Sequence, residues 1–137
     1  MGIETVAIYS ECDRTAPFVR YADEAIALGG NAPGESYLRI DKVIDAAQRA
    51  KATAIHPGYG FLAENSTFAR ACRDAKLKFI GPAPEVMDSL GGKTAAREMA
   101  IAAGAPVVPG TDGPVAETVS DAAVLAIASK IGYPLMV

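Results

Sequence analysis

One decapeptide holds most of the groups that could meet a ligand: His56-Pro57-Gly58-Tyr59-Gly60-Phe61-Leu62-Ala63-Glu64-Asn65. Gly58 and Gly60 can take positive φ or let a ligand approach the backbone closely. Pro57 stiffens the entry and holds His56 extended. Between the glycines stands Tyr59, a flat ring with a polar tip. His56 is the chain's only histidine; it could serve as a base, but at a strand end it reads better as a structural group held by hydrogen bonds. Glu64 and Asn65 stand where a loop meets a helix, suited to stabilising the one and capping the other, with Asn65 or Ser66 as the cap. On spacing alone the simpler account is a tight strand-to-helix connection, with Tyr59 and Phe61 packed over the sheet edge.

The loop must be positioned by the elements around it. Thr53-Ala54-Ile55 reads as a short strand before it, and Ser66 to Lys76 as a helix after it, with Phe68, Ala69, Ala71, Cys72 and Ala75 at helical spacing. Strand, glycine loop, helix start is how α/β proteins build ligand sites, at the carboxyl ends of strands. Upstream, Glu4 to Tyr9 is a buried-type strand starting almost at Met1, Thr15 to Tyr21 a short helix or turn, and Asp23 to Leu28 either strand or helical turn. Gly29 to Gly34 is a loop by composition. Ser36 to Lys51 is amphipathic, about four turns at 3.6 residues each, with Asp41, Lys42, Asp45, Gln48 and Arg49 on a solvated face.

Downstream, Leu77 to Ile80 is a strand stopped by Gly81-Pro82, and Pro84 opens a short helix through Leu90. After Gly91-Gly92-Lys93-Thr94 comes an alanine-rich helix, Ala95 to Ala103. Ala105 to Pro109 is extended, and Gly110 to Gly113 is a turn. Asp121 to Ile131 is a helix with Ser120 as cap and Gly132 as stop, and Tyr133 to Val137 begins a new strand. Alternating strands and helices predict an open, doubly wound parallel sheet. The change of pattern places a boundary near residue 105: 1–104 as one domain, 105–137 as a linker and the start of a second.

Composition excludes several classes. The chain has 137 residues, half of them apolar, and a net charge of −3 without a basic run, which argues against nucleic acid or a membrane surface. No apolar run is long enough to span a bilayer. Cys12 and Cys72 stand apart with no CxxC, and read as free thiols in a reducing, cytoplasmic setting. No GxGxxG follows the first strand, so a dinucleotide site is a weak reading.

The decapeptide resembles the HPGYGFLxEN signature of biotin carboxylases. Further short matches follow in register: Val6-Ala7-Ile8-Tyr9-Ser10, Tyr21-Ala22-Asp23-Glu24-Ala25, Glu35-Ser36-Tyr37-Leu38, Phe79-Ile80-Gly81-Pro82, Gly104 to Gly110, and Gly132-Tyr133-Pro134. The resemblance covers nearly the whole chain. It implies the domain that precedes an ATP-grasp domain, plus the first elements of that ATP-grasp domain. It also implies an ATP-dependent ligase that phosphorylates bicarbonate and carboxylates carrier-bound biotin, with Mg2+ or Mn2+ on the nucleotide phosphates. The implied partners are the remainder of the biotin carboxylase, a biotin carboxyl carrier domain and a carboxyltransferase, in a homo-oligomer serving acyl-CoA or pyruvate carboxylation.

By resemblance, Lys93 matches a lysine that reaches nucleotide phosphate, and Tyr59 a tyrosine lining the biotin pocket. Gly58 and Gly60 belong to the same pocket, shaping the loop more than touching the ligand. Without the family, a solvated lysine on a turn and a tyrosine packed on its own loop would be the simpler accounts. The family reads Gly-Asp-Lys where this chain has Gly91-Gly92-Lys93. The family's initial strand and helix, second ATP lysine, glycine-rich phosphate loop, metal-binding glutamates and bicarbonate-binding arginine have no counterpart here. The resemblance therefore implies a fragment, inactive alone, with a non-catalytic assembly module as the alternative. It also implies an unpaired edge beside the strand at Glu4 to Tyr9.

Overall fold

The computed structural model describes residues 2–111 and 113–135. The chain forms two compact units, one ending at Asp88 and the other starting at Ser89. The change in the sequence pattern lies further along, near residue 105.

In the first unit, β1 (Val6–Tyr9) and β2 (Glu24–Ala27) pair in parallel, with Val6 opposite Glu24 and Tyr9 opposite Ala27. Between them runs α1 (Pro17–Tyr21), opened by a proline whose missing N–H is no loss at that position. The ambiguous segment Asp23 to Leu28 is thus a strand. Its pairing with β1 buries Ile26 and Leu28, and that contact outweighs weak local propensity. The Asp23 carboxylate pins the register, accepting hydrogen bonds from Thr5 N at 2.7 Å and Thr5 Oγ1 at 2.8 Å.

The amphipathic segment folds into a shorter helix than its periodicity predicts, α2 (Ile40–Arg49). Residues 33–35 form a 3-10 turn instead, and the buried Ser36 donates from Oγ to Ala32 O. At the other end Lys51 takes a left-handed φ of 52°, which stops the helix. Lys42, expected on the solvated face, is half-buried. Its ammonium donates to Leu28 O at 2.8 Å and Glu35 O at 2.7 Å, closing the loop that leaves β2. Gly30 in that loop must be glycine: its φ is +74° and a Cβ would meet Glu35 Cβ at 2.6 Å.

The second strand pair is β3 (Ala54–Ile55) with β4 (Lys78–Phe79), parallel and joined through α3 (Ser66–Asp74). The core gathers Val43, Ala46 and Ala47 of α2, Phe68 and Cys72 of α3, and Ile26, Leu28, Leu62 and Leu77. Phe68 meets Phe79 edge to face at 5.8 Å between centroids. The α/β class with parallel strands is as expected. Hydrogen bonding among the described residues divides those strands into two ribbons, β1–β2 and β3–β4.

α4 (Pro84–Leu90) runs across the division between the units. The second unit carries α5 (Lys93–Ala102) and α6 (Asp121–Ile131). Ser120 caps α6 by accepting from Ala123 N at 3.4 Å, and Gly132, at φ 95°, closes it. Of the strand expected at Tyr133 to Val137, Met136 and Val137 lie outside the described residues, and Tyr133 to Leu135 forms no strand. One residue of the turn expected at 110–113, Asp112, also lies outside them. Among the described residues no helix is long and apolar enough to cross a membrane.

Each described strand has one hydrogen-bonded neighbour, so each ribbon presents unpaired ladder groups along its other side. Beside β1, an apolar depression lined by Val6, Phe18 and Tyr21 is open to solvent. The chain is therefore expected to self-associate with rising concentration. Sedimentation velocity over a dilution series checks this, and a monomer at every concentration would refute it.

Candidate functional site

The loop after β3 is shaped by three consecutive features. Gly58 N donates to His56 Nδ1 at 3.1 Å, so that ring nitrogen is unprotonated and the imidazole's proton sits on Nε2. His56 is thus the acceptor that folds the loop back. Gly58 (φ 66°), Gly60 (φ 74°) and Phe61 (φ 42°) then take left-handed conformations. A Cβ on either glycine would meet nothing within 4 Å, so these glycines serve the backbone conformation and not a crowded contact. Ala63 N to Gly60 O at 2.8 Å and Asn65 N to Leu62 O at 3.1 Å complete the turn.

Two anchors tie this turn to the fold. Leu62 is buried in the core. Asn65 Oδ1 accepts from Phe68 N at 2.9 Å and caps α3, as expected from its place in the sequence. Glu64 does not share in that work: it is exposed and makes no hydrogen bond or ion pair among the described residues. The backbone turn and Asn65 hold the loop instead.

Tyr59 is 96% exposed, so its ring is not packed on its own loop. It projects as a free aromatic face and hydroxyl. Phe61 turns inward to stack on Tyr37, with centroids 5.4 Å apart and planes 26° from parallel. The Tyr37 hydroxyl donates to Asp13 Oδ2 at 2.6 Å and accepts from Ser10 N at 3.0 Å. Ser10 Oγ donates to the same carboxylate oxygen at 2.8 Å. These two hydrogen bonds, Tyr37 first and Ser10 second, hold the Asp13 carboxyl below its usual range. Burial, reinforced by Asp13, holds the Tyr37 hydroxyl above the usual phenol range.

Sequence reasoning missed this network, because Tyr37 was absorbed into a helical pattern. The one available signal was an aspartate three residues past the serine that closes the first strand. Cys12 lies beside the network, exposed and free, with Sγ 3.2 Å from Ser10 Oγ. Cys72 is the second free thiol, buried on α3, and burial raises its pKa.

Lys93 lies in the second unit, at the first position of the ten-residue α5, after an N-cap Gly92 that supplies no side-chain bond. It is exposed, with no hydrogen bond or ion pair among the described residues. An ammonium beside the free amides of a helix start can meet an anion. Gly92 has an ordinary extended backbone (φ −91°), and a Cβ there would find only a 3.8 Å contact with Ala95. Nothing in the geometry requires glycine where the related pattern carries aspartate. Among the described residues no cluster of three or more His, Cys, Asp or Glu is placed to hold a metal ion.

A parallel-stranded α/β unit whose glycine loop presents Tyr59 has a match among known families. The family model for the biotin carboxylase N-terminal domain matches residues 1–87. The chain belongs to that family. It is 47% identical over 137 residues to a pyruvate carboxylase subunit of Methanothermobacter thermautotrophicus, covering all of this chain and 27% of that protein. It is 49% identical over 137 residues to biotin carboxylase 2 of Bacillus subtilis, covering 99% of this chain and 30% of that protein. Among solved structures it is similar to the biotin carboxylase–β-γ-ATP complex from Campylobacter jejuni. There the TM-score is 0.83 with 43% identity, over 98% of this chain and 29% of that one. The chain thus spans less than a third of the length of these relatives.

The Asp13 network has a definite pH signature. Its folded carboxyl titrates below the ordinary value, so its stabilisation is complete above that value and is lost as pH falls through the lower, folded one. Asp13→Ala should therefore lower the urea midpoint at neutral pH. The difference from the parent should shrink in acid, below the ordinary carboxyl range. A difference constant down to the most acid pH would contradict the assignment.

Proposed function

We propose that this chain is the N-terminal part of a biotin carboxylase, an ATP-dependent ligase that uses bicarbonate to carboxylate carrier-bound biotin in the cytoplasm. The observation that carries the reading is the free Tyr59 face, presented by the Gly58–Gly60 turn within a family-matching loop. In this reading the Tyr59 ring packs on biotin, while Gly58 and Gly60 hold the turn that aims it. Lys93, at the positive end of α5, meets nucleotide phosphate. Mg2+ or Mn2+, when bound, neutralises the phosphates; its ligands belong to parts of the enzyme outside these residues.

The domain assignment follows the same reading: residues 1–104 form the domain before the ATP-grasp, and 105–137 lead into it. The remainder of the carboxylase, a biotin carrier domain and a carboxyltransferase are the partners, in a homo-oligomeric assembly. The relatives' names support both a stand-alone biotin carboxylase and part of a pyruvate carboxylase. An acyl-CoA carboxylase is the parent we favour. A second reading, a non-catalytic assembly module, draws its support from the open apolar depression around Val6, Phe18 and Tyr21.

Two measurements test these readings. In the complete carboxylase, Tyr59→Ala should raise KM for free biotin by roughly tenfold, the scale of one lost stacking contact, and leave KM for ATP near its starting value. Equal losses for both substrates would mean collapse of the loop and not loss of a biotin contact. The 137-residue chain alone should show no bicarbonate-dependent ATP hydrolysis above its Lys93→Ala variant. Phosphoryl transfer needs several cations and metal around the phosphates at once, and this chain offers one candidate lysine. Turnover above that control would overturn the prediction.

A further inference from the structure

We propose that Tyr37 is the positioning residue of the Tyr59 loop, bracing it through hydrogen bonds to groups just past the end of β1; this rests on the reading of Tyr59 above. The loop follows β3, and the ring contact of its outer half is made with Tyr37. Phe61 is the brace. Its left-handed φ of 42° is strained in a residue with a Cβ. Its side chain is 62% exposed, so burial offsets little of that strain. The compensating contact is the stack on Tyr37.

Tyr37 can act as a fixed platform because its other end is immobilised. Its hydroxyl makes two hydrogen bonds, to Asp13 Oδ2 and from Ser10 N, and Ser10 is fully buried at the carboxyl end of β1. The ring is therefore held at the edge, and its face is left to carry Phe61. Only Gly60 separates Phe61 from Tyr59, so a change in the backbone conformation at Phe61 redirects Tyr59. The consequence is a coupling across the unit: groups at the end of β1 set the direction of a tyrosine presented after β3.

The test separates positioning from plain stability. Tyr37→Phe keeps the stack and loses both hydroxyl bonds; Tyr37→Leu loses both features; Phe61→Leu loses the stack and leaves Asp13 untouched. In the 137-residue chain, amide exchange at residues 58–63 should quicken by roughly tenfold in Tyr37→Phe, the scale of one net hydrogen bond, and further in the other two. Exchange in α2 and α3 should not change in Phe61→Leu, and in Tyr37→Phe it should quicken less than at residues 58–63. In the complete carboxylase the same two variants should raise KM for free biotin several-fold with kcat and KM for ATP unchanged.

Unchanged loop exchange in Tyr37→Phe and Phe61→Leu overturns the proposal, and so does a uniform increase across α2 and α3. If Tyr37→Leu does not fold, those two variants still decide the matter. Loop-selective quickening without any change in KM for biotin would uphold the role of Tyr37 and remove the biotin assignment of Tyr59.

Discussion

The first unit depends on an apolar core shared by strands that do not share hydrogen bonds. β1–β2 and β3–β4 are separate ribbons among the described residues. Two-stranded ribbons are marginal by themselves. What joins them is the layer of α2 and α3, where Val43, Ala46, Phe68 and Cys72 are buried among side chains from both ribbons. A buried phenylalanine contributes roughly 1.5–3 kcal/mol by removing its surface from water. Phe68 also lies one turn into a helix whose cap, Asn65, is the last residue of the candidate site. The core and the site are therefore fastened at adjoining points of one helix.

From this constraint follows the way the loop is held. Leu62 reaches into the core, Asn65 closes the helix start, and Phe61 leans on Tyr37. Only Tyr59 is left without a packing partner among these loop rings and anchors. A large ring at 96% exposure adds nothing to stability, while its neighbours on either side are all committed. Of the three left-handed residues in these four positions only Phe61 carries strain, since the two glycines enter that region freely.

Lys93 contrasts with this arrangement. It stands at a helix start in the other unit, unpaired among the described residues, with no side-chain cap beside it. Replacing a capping aspartate by glycine costs a helix only a few tenths of a kcal/mol, so Gly92 leaves α5 intact. Its effect is on charge: position 92 brings no carboxylate to the ammonium, and the helix amides direct its field.

Periodicity and punctuation were enough to place nearly every element. Helical spacing marked α2 and α3; Pro84, Ser120 and Gly132 marked ends; and Asn65 was legible as a cap because its role is local. The ten-residue loop, its glycines and its tyrosine were legible for the same reason, since turn chemistry is written in adjacent residues. Tertiary structure alone decided what depends on distant partners. Asp23 to Leu28 is a strand because β1 pairs with it. Lys42 is a half-buried anchor because two carbonyls converge on it, and Glu64 is idle because no donor among the described residues does. Tyr37 belongs to the site because a carboxylate 24 residues before it and a ring 24 residues after it arrive at its two sides. Local sequence encodes conformation residue by residue, whereas hydrogen bonds and ring contacts across the chain exist only once the core has brought their partners together.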